Sequence, residues 1–165
     1  MTTQEKLDFA EKNLECLLEW VSRFDFKSSV VLSIDTGMLG VLASFAPPLR
    51  LWTLVMIIFG ILSLIALGLS FLFIYFGNYP QTKGPSKSLL YFGSIAKNSG
   101  LEYQQAFLRR NVEEHLNDIL EQSHRNSEIL EKKFMCLKWA YRILIASLFP
   151  WAITIFLFRS IPLTS

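Results

Sequence analysis

The segment from Glu19 to Gly40 passes from charged residues (Glu19, Arg23, Asp25, Lys27) into an apolar run that carries a carboxylate, Asp35. Nothing in it breaks a helix before Gly37. One continuous helix is therefore expected to join a water-exposed part to a lipid-embedded part. A charged group inside a span costs about 3 kcal/mol or more and faces protein or water rather than lipid. The chain is thus constrained to be a helical membrane protein in which Asp35 has a partner or a task.

The distribution of apolar residues supports this. The chain has 165 residues, enough for one domain, and is 52% hydrophobic and 18% charged. The apolar residues collect in Ser28–Ala46, Leu51–Phe76 and Ile143–Phe158, with polar stretches between them. Roughly 20 apolar residues span a bilayer core. The second segment qualifies outright, the first with one acid inside, and the third only if Trp139, Ala140 and Tyr141 join it. Met1-Thr2-Thr3-Gln4-Glu5 is acidic and polar, so no secretory signal peptide is expected. Cys16 and Cys136 match no metal spacing and are expected to be ordinary thiols.

Charge orients the spans. Four Lys/Arg precede the first span, one sits in the hairpin Pro47-Pro48-Leu49-Arg50, ten lie between Gly77 and Arg142, and Arg159 stands in the tail. Positive charge is retained inside. The alternation places the N-terminus and the long middle in the cytoplasm, with the hairpin and the C-terminal tail outside. The expected organisation is a cytoplasmic helix over 1–27, a transmembrane hairpin over 28–76, a cytoplasmic turn, short helix and long helix over 77–138, a third span over 139–158 and a tail over 159–165. The fold class is an all-α membrane protein with three transmembrane helices and a cytoplasmic helical bundle.

Thr2-Thr3-Gln4-Glu5 and Ser99-Gly100-Leu101-Glu102 read as capping boxes that start helices. After the first, Leu7, Ala10, Leu14, Leu17, Val21, Phe24 and Ser28 alternate steps of three and four, a coiled-coil seam. The same steps reach Val31 and Asp35, which puts the acid on the face that already meets protein. After the second, a seam runs through Leu108, Val112, Leu116, Ile119, Ser123, Asn126, Leu130, Phe134 and Leu137 into the third span. A helix from Leu101 to Phe158 would be about 85 Å long at 1.5 Å per residue, kinked at Pro150. Six polar residues, Gln122 to Ser127, interrupt that seam. They either fix register and oligomeric state or line a small-molecule pocket between helices. Lys87–Lys97 is expected to form a short amphipathic helix at the membrane surface. Gly37 and Gly40, with Ser33 and Ser44, are expected to permit close helix packing.

The chemistry of common enzymes is missing. There is no P-loop, GxGxxG, GxSxG or HExxH. His115 and His124 lie nine apart on one helix and offer no metal pair. Catalytic and metal-ligating residues are therefore expected to be absent, and the chain is not expected to be an enzyme. Lys27 either snorkels to head groups, binds an anion, or pairs with Asp35. Within one helix those two lie about 12 Å apart along the axis, so such a pair is easier between subunits. Arg109 and Arg110 either hold a phosphate or form a solvated face.

Asn13-Leu14, Trp20-Val21, Asp25 and Lys27-Ser28-Ser29, followed by Leu32, Ile34-Asp35 and Leu39-Gly40, resemble the opening motif of the Pycsar transmembrane effector family. Leu90-Tyr91-Phe92-Gly93 with Ile95 resembles its central motif, and Gln122, Asn126-Ser127, Ile129 and Lys133 the motif before the final span. The resemblance implies an effector of bacterial abortive-infection defence against phage. A cognate cyclase makes cyclic CMP or cyclic UMP, and the activated effector impairs the inner membrane. No cyclic-nucleotide-binding β-barrel module is recognisable, so a directly sensing site must be built from helices. The residues expected to serve ligand binding or coupling are Lys27, Ser28, Arg109, Arg110, Gln122 and Asn126. Ser33 and Asp35 are expected to line the membrane path. The expected partners are the cyclic nucleotide, the bilayer and further copies of the chain, not nucleic acid. A constitutive holin-like pore and a non-conducting anchor for another protein are the alternative readings.

Overall fold

Thr2 opens the first helix by exchange with Glu5. The Glu5 amide donates to Thr2 Oγ1 at 3.2 Å and the Thr2 amide to Glu5 Oε2 at 2.7 Å. Helix α1 (Thr3–Phe45) then runs unbroken for 43 residues, until Pro47 and Pro48 end it. The structure is a computed structural model and describes residues 1–81, 84–85 and 88–161. A 3-10 turn (Leu49–Leu51) follows, and Thr53 caps α2 (Leu54–Asn78) by accepting from the Met56 amide. The turn is braced by Trp52, whose Nε1–H donates to the Pro47 carbonyl at 2.9 Å. One turn of helix, α3 (Phe92–Ile95), precedes α4 (Gly100–Arg109) and α5 (Val112–Arg159). The described residues are 85% helical with no strand, and α1, α2 and α5 are long and apolar enough to cross a membrane. This is an all-α membrane protein.

The chain divides into two compact units: Met1–Arg23 with Pro80–Lys132, and Phe24–Tyr79 with Lys133–Ser165. The first, a polar unit, has Ala10, Leu89 and Ile119 among its buried apolar residues. The second, the membrane unit, packs three helices through seams of three- and four-residue steps. On α1 the buried positions are Phe24, Ser28, Val31, Asp35, Met38 and Leu42. On α2 they are Met56, Gly60, Ser63, Leu67, Ser70, Ile74 and Gly77. Leu137, Ala140, Leu144, Ser147, Thr154 and Phe158 are the buried positions of α5. The outward faces are apolar, as lipid contact requires. Their hydroxyls close on their own helix: Ser33 donates to the Ser29 carbonyl, Thr36 to Leu32 and Ser44 to Gly40.

Three local expectations change. The seam predicted from Leu108 to Leu137 breaks at Arg110–Asn111, where Arg110 is extended (φ −72°, ψ 132°). Asn111 starts a new helix: its Oδ1 accepts from the Glu114 amide at 2.8 Å, and Glu114 Oε2 accepts from the Asn111 amide at 3.2 Å. This reciprocal cap outweighs the continuation of the seam, and Leu108 and Val112 stay exposed. The helix does continue through Pro150. The short helix expected over Lys87–Lys97 shrinks to Phe92–Ile95 because Ser88 caps the preceding turn, accepting from the amides of Leu90 and Tyr91 at 3.0 Å. Lys83, Ser86 and Lys87 lie outside the described residues, as do residues 162–165 of the expected tail. Close packing falls on different small residues from those named in the sequence. A Cβ at Gly37 or Gly40 would meet nothing within 4 Å, whereas at Gly77 it would lie 3.1 Å from both Cys136 Cβ and Phe24 Cζ.

Candidate functional site

Helix α5 carries Gln122, Arg125, Asn126 and Ile129 on three successive turns, positions that fall on one face. In the polar unit this face meets Leu14 and Leu18 of α1 and the segment Leu90-Tyr91-Phe92. Together they line a cavity of about 330 Å³ with Gln81 and Gly84. Its chemistry is mixed: two aromatic rings, one guanidinium, side-chain amides and an aliphatic floor. That combination is typical of a small-molecule site of the lower size range.

The aromatic wall is held from α5. Gln122 Nε2 donates to Ser88 Oγ at 2.9 Å, and Asp118 Oδ2 accepts from the Leu89 amide at 2.9 Å. Asp118 is buried and paired with Arg110, whose Nη1 lies 2.6 Å from Oδ2, while its Oδ1 has no hydrogen-bond partner among the described residues. Ser94 Oγ donates to the Pro85 carbonyl at 2.6 Å. The Tyr91 ring is further confined by glycine. A Cβ at Gly84 or at Gly93 would fall 2.6 Å from a Tyr91 ring carbon, so both positions must lack a side chain for the ring to keep this pose. Arg125 Nη1 donates to Glu128 Oε2 at 2.8 Å, and that bond holds the Glu128 carboxyl below its ordinary value.

The membrane unit holds a second polar cluster. Asp35 is fully buried; Ser70 Oγ lies 2.7 Å from Asp35 Oδ2, to which it donates, and 3.3 Å from the Ala140 carbonyl. Asp35 Oδ1 has no hydrogen-bond partner, and no salt bridge reaches Asp35 among the described residues. Ser63 and Thr154 hydroxyls meet at 3.2 Å, and Trp151 Nε1–H donates to the Met38 carbonyl at 3.0 Å. At the polar end of the same unit, Lys133 Nζ lies 3.2 Å from Asp25 and 4.6 Å from the Phe24 ring centroid.

The structure brings two of the expected ligand residues, Gln122 and Asn126, to the cavity. Arg110 stands apart in its pair with Asp118, and Arg109 is exposed at the end of α4. Lys27 and Ser28 belong to the membrane unit. Lys27 is exposed, with its Nζ 5.9 Å from the Phe134 ring, and Ser28 is buried against Asn78. Ser33 and Asp35, expected to share a path, lie on different faces, Ser33 outward and Asp35 inward. Sequence reasoning missed Arg125, Tyr91 as a wall, Asp118 and Ser70. For Arg125 the signal was present, inside the polar interruption of the seam. For Ser70, one of two serines in a long apolar run, only the spacing of seven from Ser63 hinted at an inward face.

No characterised protein and no solved structure matches this chain. The Pycsar effector protein domain does match, over residues 9–159, a range that includes every described residue lining the cavity together with Asp35 and Ser70. That span is nearly the whole chain, and the protein therefore belongs to the Pycsar effector family, with a role in anti-phage defence.

Proposed function

We propose that the chain is an effector that a cyclic pyrimidine nucleotide activates by occupying the cavity of the polar unit, and that the activated protein impairs the bacterial inner membrane. The observation that carries this reading is convergence. The central motif (Leu90, Tyr91, Phe92) and the motif before the last span (Gln122, Asn126, Ile129), distant in sequence, line the same cavity with Arg125. Each part suits one part of such a ligand. A guanidinium binds a phosphate through charge-assisted hydrogen bonds. Aromatic faces stack on a base, for about 1–3 kcal/mol each. Side-chain amides donate to and accept from a pyrimidine edge.

No catalysis enters the proposal: the nucleotide acts as a signal, and it shifts the effector only as far as its affinities for the two states differ. The alternation of positive charge favours an inner-membrane protein with its N-terminus in the cytoplasm, where the nucleotide is made. The acting form is taken to be a homo-oligomer in the bilayer.

The test is calorimetry on the full chain in detergent with cyclic CMP, cyclic UMP and cyclic AMP, paired with release of a dye and of protons from vesicles. One pyrimidine nucleotide should bind and trigger a membrane leak. Arg125→Ala and Tyr91→Ala should weaken binding. Absence of binding, or binding indifferent to both substitutions, would overturn the proposal.

A further inference from the structure

Asp35 is the one carboxylate in the transmembrane stretch of α1 and the charged residue most enclosed by the membrane unit. We propose that Asp35 with Ser70 forms a proton-exchange site inside a single protomer, and that the breach inferred above passes protons in preference to solutes. The inference rests on that breach for its transport half and stands on the geometry for its site.

Three observations carry it. Asp35 Oδ2 is already taken by the Ser70 hydroxyl, while the fully buried Oδ1 has no partner among the described residues. A carboxylate oxygen in that position is an acceptor awaiting a proton or a cation. The surroundings favour the proton. The residues one turn to either side of Ser70 and Ala140, namely Leu67 and Ile74 on α2 and Leu137 and Leu144 on α5, are aliphatic and buried. On α1 itself the buried neighbours are Val31 and Met38. No titratable or charged group faces Asp35 from either packed helix among these positions. A hydrated metal ion needs several ligands and room that this packing does not offer.

The third observation is the hydroxyl series on the same inner face. Ser63 and Ser70 of α2, and Ser147 and Thr154 of α5, recur at two-turn intervals of about 10 Å, and all four are buried. Hydroxyls donate and accept at once. Water entering between these levels when the bundle loosens would complete a proton route past Asp35, whereas Ser33, on the outward face, takes no part.

The experiment uses the full chain in vesicles that hold a pH-reporting dye and, separately, a self-quenching dye of nucleotide size. A potassium gradient with valinomycin supplies the driving force, and the cyclic pyrimidine nucleotide supplies the trigger. The lumen pH should shift as protons move to compensate the potassium carried by valinomycin, while the second dye stays inside. Asp35→Asn should lose most of the proton flux at unchanged helix content and nucleotide affinity, and Ser70→Ala should lose part of it. Equal release of both reporters, or native flux in Asp35→Asn, overturns proton selectivity. If neither reporter moves, the triggered breach itself fails. The site is then judged by infrared spectroscopy: a carboxyl band that disappears in Asp35→Asn must change with bulk pH, and a band that ignores pH overturns the proton site.

Discussion

Adding one methyl group at Gly93 isolates what the Tyr91 ring contributes. The new Cβ would lie 2.6 Å from Tyr91 Cε1 and 3.0 Å from Cζ, about a full ångström inside ordinary contact. The backbone of α3 is held through the Ser94 and Ile95 amides on the Tyr91 carbonyl, so the side chain is the part that yields. A ring swung off the cavity wall forfeits its stacking with a bound base, about 1–3 kcal/mol. At 1.4 kcal/mol per decade, that is a loss in nucleotide affinity of roughly 5- to 150-fold. Calorimetric titration of Gly93→Ala against the native chain measures it directly. Gly100→Ala is the control, because a Cβ there meets nothing within 4 Å. Native affinity in Gly93→Ala would refute the assignment of Tyr91 as a stacking wall. So would an equal loss in Gly100→Ala.

Ser88→Ala removes the acceptor shared by the Leu90 amide, the Tyr91 amide and Gln122. It should destabilise the polar unit by about 1–3 kcal/mol, read as faster proteolysis between Ser88 and Asn98. Gly77→Ala overpacks against Phe24 and Cys136 and should cost about 1–3 kcal/mol, seen as a lowered Tm in detergent; Gly37→Ala should leave Tm unchanged or raised. Glu102, bonded by the Ser99 amide, sits below the ordinary value of 4.5. A depressed carboxylate contributes above its unfolded pKa, and the contribution disappears as pH falls through the folded value. Protection of the Ser99 amide from exchange, corrected for intrinsic rate, should therefore fall on acidification below about pH 4.5 and stay flat in Glu102→Gln.

Much of the architecture was legible because helical periodicity survives both in water and in lipid. The steps Phe24, Ser28, Val31, Asp35 could be followed across the polar–apolar boundary without knowing what packs against them, and all four are buried. The break at Arg110–Asn111 was less visible, since an Asn cap and a continuing seam compete over the same few residues and only tertiary packing decides. The site was half legible. Gln122 and Asn126 interrupt an apolar seam, which marks them from sequence alone. Tyr91 and Ser88 owe their roles to a non-helical segment whose course is set by side-chain hydrogen bonds from α5, and no periodicity reports that. Arg109 drew attention as a charge, yet it is exposed at the end of α4 and does not line the cavity.

The cavity draws Leu14 from the first helix made and Ile129 from the last. During synthesis its two sides are separated by a complete membrane hairpin, so a nascent chain that already has α1 and α2 still lacks this cavity. The polar unit closes only after α5 has emerged past Ile129. A ribosome-bound or truncated fragment that ends before Ile129 therefore has both hairpin helices but not the proposed nucleotide site. If the proposed site is the sensor, competence to respond is the last property the growing chain acquires.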